Sequence, residues 1–294
     1  MMLLSGMGEH FLQGIVLLFV SPLFFGIINK TKAFLQKRRG ASIWQEYFDL
    51  YKWWRKPVLL TPYTSRIFIA APAIYFATSI MAAVMSPGLL ASGELQFGDA
   101  FVFVYILALG RFFMTLGSMD AGTAFGGMGG SREIYISVFV EPAVMLAVLV
   151  NAMRYGSTTL SAMVIDYSTF YFTVPAVLTA VAFFLVILAE NGRLPVDNPD
   201  THLELTMIHE GMTLEYSGRL LSLIHLGSML KLTVFLSLFS TLYLPLDIPV
   251  SIKMLLTAIV IGIVETLNNK MRLFKVRVYL AAATALLFVA IIAE

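Results

Sequence analysis

Glu141 breaks an otherwise apolar run, ISVFVEPAVMLAVLV, and Pro142 follows it directly. A carboxyl at the centre of a membrane helix costs about 3 kcal/mol on insertion scales, and apolar surroundings penalise its ionised form. Proline cannot donate to the carbonyl of Val138, so that oxygen must find water or a side chain. A carboxyl beside a broken helical hydrogen bond is suited to holding a hydrated proton. Lys231 is a second ionisable residue deep in an apolar run, and charges at that depth are by default functional. Arg132 lies towards one end of the Glu141 segment. Arg111, Lys253 and Glu265 also fall in apolar runs, and for them the pattern favours interhelical ion pairs or snorkelling to the interface.

The densest charged stretch is AENGRLPVDNPDTHLELTMIHEGMTLEYSG, residues 189–218. It holds Glu190, Arg193, Asp197, Asp200, Glu204, Glu210 and Glu215, with His202 and His209 between them. Asn198-Pro199-Asp200 predicts a helix start. His202, Glu204, His209 and Glu210 suggest metal ligands by type, but the H-E-x-x-H spacing is absent and no third ligand is set, so the pattern argues against a metal site. Apolar residues recur throughout, and the stretch is too long for a plain connector. A second stretch, DAGTAFGGMGGSR from Asp120 to Arg132, is glycine-rich but has no preceding strand and no G-K-[ST]. It is therefore read as a membrane-surface loop whose backbone passes close to a neighbour, without nucleotide binding.

The elements that position these residues follow from composition. Of 294 residues, 59% are hydrophobic and 13% charged, against about 25% charged in soluble domains. Such a chain cannot cover a globule with polar surface, which excludes a disordered chain and an ordinary soluble enzyme. With no Cys, it holds no disulfide framework, no thiolate-ligated iron–sulfur cluster, no Cys-type zinc site and no thiolate nucleophile. A net charge of +2 gives no footprint for nucleic acid.

Runs long enough to cross a bilayer lie at about 11–29, 67–87, 100–118, 135–153, 170–190, 219–243, 248–266 and 276–293. The expected fold is an all-α integral membrane protein with one transmembrane domain over 1–294 and about eight transmembrane helices. Pro57 and Pro62 precede the second run, Ser86-Pro87-Gly88 closes it, and Pro245 and Pro249 bracket the turn between the sixth and seventh. The flank MMLLSGMGEH has no Lys or Arg and no A-x-A site follows, so the first run reads as a retained anchor. No internal repeat supports an inverted-repeat transporter. Of 20 basic residues, 16 fall in or beside the 1–2, 3–4, 5–6 and 7–8 connections. The expectation is a multi-pass protein of the cell membrane with its long loops cytoplasmic and both termini outside.

The first of those loops contains GASIWQEYFDLYKWWRKP. Ser42 followed by Gln45 predicts a capping box at a helix start. Trp44, Tyr47, Phe48, Tyr51 and Trp54 then recur on one face, with Gln45, Glu46, Asp49, Lys52 and Lys56 largely on the other. This pattern predicts an amphipathic helix lying in the interface, aromatic side in the headgroups and polar side towards water or a partner.

These segments, in this order, resemble the NuoH-type membrane subunit of respiratory complex I, and more closely its relatives in membrane-bound [NiFe] hydrogenases, formate hydrogenlyase and kindred ferredoxin-linked complexes. RRGASIWQEYFDLYKWWRKP carries the family pattern, with Asp49 and Lys52 at charged positions. SREIYISVFVEP matches the family's Arg-to-Glu segment at Arg132 and Glu141. AENGRLPVDNP followed by LEL and LEYSG matches the loop after the fifth span, placing Glu190, Arg193, Asp197, Glu204 and Glu215. NNKMRLF resembles the hydrogenase branch.

The resemblance implies a subunit that docks a peripheral redox arm on the bilayer and begins a buried acidic path towards antiporter-like subunits. It implies partners of three kinds: hydrogenase-like large and small redox subunits, antiporter-like subunits and small membrane subunits. The [4Fe-4S] clusters, and NiFe in the hydrogenase branch, are expected on those partners, with no cofactor on this chain. Docking falls to Trp44, Asp49, Lys52 and Arg193. Coupling falls to Glu141, Lys231, Glu190, Arg193, Asp197, His202, Glu204, Glu215 and Arg132. His202 stands where complex I has a second glutamate, about three extra residues separate Leu205 from Glu215, and Ser228 replaces a complex I glutamate one turn before Lys231. These departures fit the hydrogenase-like branch, which needs no quinone. A purely structural anchor, a quinone-reducing complex I subunit and a subunit of a sulfur-reducing complex stay open as readings at this point.

Overall fold

Without water to satisfy backbone amides and carbonyls, an apolar segment must close its hydrogen bonds within itself, and a helix does so. The computed structural model describes residues 2–89, 98–164, 173–197 and 207–294. Among them the regular elements are helices: α1 (Met2–Leu35), α2 (Gln45–Arg55), α3 (Arg66–Met85), α4 (Ala100–Asp120), α5 (Ala124–Tyr155), α6 (Val174–Glu190), α7 (His209–Thr213), α8 (Gly218–Leu242), α9 (Val250–Leu267) and α10 (Leu273–Ala293). Seven of them are long and apolar enough to cross a membrane: α1 from Met7, α3, α4, α5, α8, α9 and α10. α6 has 17 residues, about 25 Å at 1.5 Å per residue, at the lower limit for a span. The protein is thus an all-helical, multi-pass membrane protein. The first residues of the expected 170–190 span, and the expected helix start at Asn198, lie outside the described residues.

α1 extends beyond the expected 11–29 at both ends, and two further boundaries differ from expectation. Residues 124–132 are not a loop. Thr123 caps α5 by accepting the Gly126 N–H at 3.3 Å, and the helix runs through the glycines. Tertiary packing outweighs their poor propensity here: a Cβ on Gly129 would lie 2.8 Å from the backbone of Gly211 and Met212, so the glycine lets α5 and α7 touch. At 32 residues, α5 is about 48 Å long, well beyond the roughly 30 Å hydrocarbon core. The helix α2 begins at Gln45 rather than Ser42. The Ser42 hydroxyl accepts the Trp44 N–H at 3.3 Å, and no side chain caps the first turn.

The 1–2, 3–4, 5–6 and 7–8 connections meet at one end of the bundle. There the Ser65 N–H donates to Asp120 Oδ2 at 2.7 Å, the Leu59 N–H to Ser217 Oγ at 2.8 Å, and the Met271 N–H to the Pro195 carbonyl at 2.8 Å. At the other end Asp99 caps α4 and accepts the Thr158 hydroxyl at 2.7 Å. α8 is the central helix, with Leu230, Val234, Phe235 and Leu236 fully enclosed. Lipid is as apolar as leucine, so burial alone does not drive helices together; close packing and polar cross-links must.

Candidate functional site

The strongest cross-links converge on Arg111, midway along α4. Its guanidinium contacts the Glu190 carboxylate, lies 3.2 Å from Glu141 Oε1, and has Nε 3.5 Å from Glu133 Oε1. Glu133 and Glu141 sit eight residues apart on α5, roughly a quarter turn from one another, so both reach the same neighbour. Glu190 ends α6. Lys231 of α8 places Nζ 2.8 Å from Glu190 Oε1 and donates to the Glu190 carbonyl, also at 2.8 Å. On the far side of Glu133, His209 Nδ1 stands 3.7 Å from Oε2.

The charge count of this cluster matters. Three carboxylates, Glu133, Glu141 and Glu190, face two basic side chains, Arg111 and Lys231. One negative charge is left over, and a buried uncompensated charge costs several kcal/mol. A proton on a carboxyl or on His209 cancels it. Glu133 and Glu190 are enclosed, with 9% and 2% of their side chains exposed, whereas Glu141 is 42% exposed.

A second set adjoins the first. Glu265 of α9 pairs with Lys32 of α1 at 3.1 Å and with Arg193 at 3.3 Å. The Arg193 guanidinium also lies 4.3 Å above the Phe25 ring. Asp197 pairs with Lys270 at 2.6 Å and accepts the His209 N–H at 3.0 Å. Asp197 thus reaches the backbone of His209, whose ring faces Glu133 of the first set.

Two cavities flank this network. One, of about 410 Å³, lies between α1, α2, α7, α8 and the segment after α6, and is lined by Asn29, Glu46, Asp49, Arg193, Asp197, His209, Glu210, His225 and Ser228. The other, of about 540 Å³, lies between α4 and α5, where Arg111, Ser137 and Glu141 are set among Tyr105, Leu109, Phe112, Met119 and Ile134. Burial works against charge on the His209 imidazole, but the nearby Glu133 carboxylate prevails and raises its pKa above the ordinary value.

Glu141, Lys231, Glu190, Arg193 and Asp197 come together in this network. Arg132 turns away: its Nη1 donates to the Met207 carbonyl at 2.8 Å and fastens the segment before α7. Glu215 is half-buried beyond α7 and joins neither set. Trp44, just before α2, and Lys52 on it are exposed, while Asp49 lines the first cavity and accepts from Gln45 at 3.1 Å. His202 and Glu204 lie outside the described residues. Glu133 was not singled out in the sequence, although its spacing to Ser137 and Glu141 marks a polar edge of α5. Arg111 does form interhelical ion pairs, and it is also the hub. Among the described residues no three His, Asp or Glu are grouped to hold a metal ion.

Residues 10–293 match the family model described as NADH dehydrogenase. The chain is 33% identical over 230 residues to hydrogenase-4 component C of Escherichia coli K12, covering 77% of this chain and 72% of the relative. It is 31% identical over 233 residues to formate hydrogenlyase subunit 4 of the same organism, covering 78% and 74%. Its fold is similar to a chain of the membrane-bound sulfane sulfur reductase, an archaeal respiratory membrane complex, with a TM-score of 0.80 at 19% identity over 99% of this chain and 100% of the other. With nearly its whole length matched, the chain belongs to the NADH dehydrogenase family, with hydrogenase-4 component C and formate hydrogenlyase subunit 4 among its relatives.

Proposed function

We propose that this chain is the membrane-anchor and coupling subunit of a complex I-related, hydrogenase-like oxidoreductase, and that it links electron transfer in a docked peripheral arm to translocation of H⁺ or Na⁺. The arm, made of large and small redox subunits carrying [4Fe-4S] clusters and NiFe, docks on the loop end of the bundle, which faces the cytoplasm, with both termini outside. Trp44, Asp49 and Lys52 receive it, and Arg193 backs them from the wall of the loop-end cavity. Antiporter-like and small membrane subunits continue the path laterally. The whole chain, 1–294, acts as one transmembrane domain.

One observation carries this reading: the Arg111 cluster joins three carboxylates and two cations between a loop-end cavity and a lateral one. A charge appearing about 8 Å away at an effective dielectric of about 20 changes the energy of a buried charge by about 2 kcal/mol. That is about 1.5 pKa units, enough to load or release a proton from a group poised near its working pH. Glu141 is half-exposed beside Tyr105, Phe112 and Val138, which are also exposed on the chain alone. A carboxyl in such an apolar face calls for a polar neighbour from an adjacent membrane subunit.

The test is the assembled complex carrying Glu141→Gln. Loss of coupled ion transport with the subunits still together supports coupling. Transport at the level of the unaltered complex removes it and leaves a structural anchor.

A further inference from the structure

Resting on that reading, we propose that His209 is the proton-transfer residue through which the loop-end cavity loads the Arg111 cluster. Among the described residues of the cluster, His209 is the one that also lines this cavity. Its side chain is 29% exposed, while that of Glu133 behind it is 9% exposed. The cavity is walled by Glu46 and Asp49 of α2, Glu210 beside His209 itself, and His225 and Ser228 of α8, and it is large and polar enough to hold water. A proton arriving there meets an imidazole before it meets any carboxyl of the cluster.

The groups facing His209 are arranged for that passage. Glu133 approaches Nδ1 from α5. Asp197, in the segment after α6, fixes the backbone by accepting the His209 N–H. Lys231 of α8 opposes a positive charge on the ring, and Glu133 and Asp197 favour one. The cluster's missing proton fits the same place: with His209 protonated, three cations meet three carboxylates.

The transfer balances simply. The imidazolium gives its Nδ1 proton to Glu133 Oε2; the N–H bond breaks as the O–H bond forms, and a neutral imidazole protonated on Nε2 remains. Turning about Cβ–Cγ carries Nδ1 to the cavity, where it takes a proton from water or hydronium and returns. The 3.7 Å separation exceeds a hydrogen bond, so each transfer needs a small approach of the ring, and that approach is where events in the docked arm can act.

The experiment uses the assembled complex in inverted membrane vesicles, with reduced ferredoxin as donor and ion uptake as readout. His209→Ala is expected to lower coupled uptake by about 10²-fold, within the usual range for a positioned acid–base group, while the subunits still co-purify. Imidazole added to the medium should restore much of it, less so as pH rises and imidazolium disappears, and should leave the unaltered complex unaffected. His209→Gln keeps shape and hydrogen bonding but cannot carry a proton, and should lose uptake without rescue. Uptake at the unaltered level in His209→Gln, or loss in an assembled His209→Ala complex that imidazole does not relieve, overturns the proposal. If Glu141→Gln loses uptake while His209→Gln keeps it, the coupling reading stands and the role of His209 falls; if Glu141→Gln keeps it, the coupling reading itself falls.

Discussion

Lys231 grips Glu190 twice: Nζ of the lysine lies 2.8 Å from the carboxylate and 2.8 Å from the main-chain carbonyl of the same residue. The carbonyl belongs to the last turn of α6, where helix acceptors lack intrahelical partners. One ammonium therefore serves both as counter-ion and as a cap, and it ties α8 to α6.

Lys231→Met should then do more than delete a charge. It leaves a buried carboxylate and a terminal carbonyl short of a donor, with an expected cost of about 3–5 kcal/mol. The double variant Lys231→Met, Glu190→Gln should recover part of that cost, with a coupling energy of about 0.5–3 kcal/mol. Thermal unfolding of the purified complex in detergent measures both. Strict additivity would mean that the two residues do not act as a pair.

The link between His209 and Glu133 should depend on pH in one direction. The imidazole pKa is raised on folding, so its stabilising contribution is fully present below the unfolded value of about 6.5 and is lost as pH rises through the folded value. Above that window the segment around α7 should loosen. Hydrogen exchange of amides 208–213, corrected for intrinsic chemistry, should show weaker protection at alkaline pH. His209→Gln should flatten the profile, and an unchanged profile in that variant would place the titration elsewhere.

Two neighbouring glycines of α5 should respond oppositely to the same change. A Cβ on Gly129 would meet the backbone of Gly211 and Met212 at 2.8 Å, and backbone cannot swing aside. Gly129→Ala should destabilise by about 1–3 kcal/mol. Gly127 has no heavy atom within 4 Å of such a Cβ, so Gly127→Ala should gain up to about 1 kcal/mol of helix propensity. Melting temperatures of the two variants make the comparison, and equal effects would refute the close α5–α7 contact.

These cases also mark how far the sequence reaches. The membrane helices are legible because hydrocarbon imposes length and apolarity on each segment independently. The start of α5 is not, since glycines predict a loop locally and only the distant Gly211 makes them favourable. The choice between Arg132 and Glu133 is equally local in sequence and tertiary in cause. Adjacent helical residues point about 100° apart, so one fastens Met207 outside while the other faces Arg111 inside. Glu141 and Lys231 stand out as isolated charges, but nothing in a linear pattern says that Arg111 lies between three acids from two other helices.

The same reasoning applies to Glu265, whose partners come from α1 and the segment after α6. Its carboxylate has no exposed side-chain surface, and it separates the cations of Lys32 and Arg193 by contacting both. Glu265→Gln keeps the volume and removes the charge, leaving two enclosed cations with mutual repulsion in place of attraction. Removing one partner of a buried set costs about 3–5 kcal/mol, and here two pairs share that partner. Adding Lys32→Met should relieve the repulsion and return part of the loss, whereas the same substitution in the unaltered chain should destabilise by leaving Glu265 with Arg193 alone. That reversal of sign, read from unfolding of the four proteins side by side, distinguishes a carboxylate that holds two cations apart from one whose contacts with them are incidental.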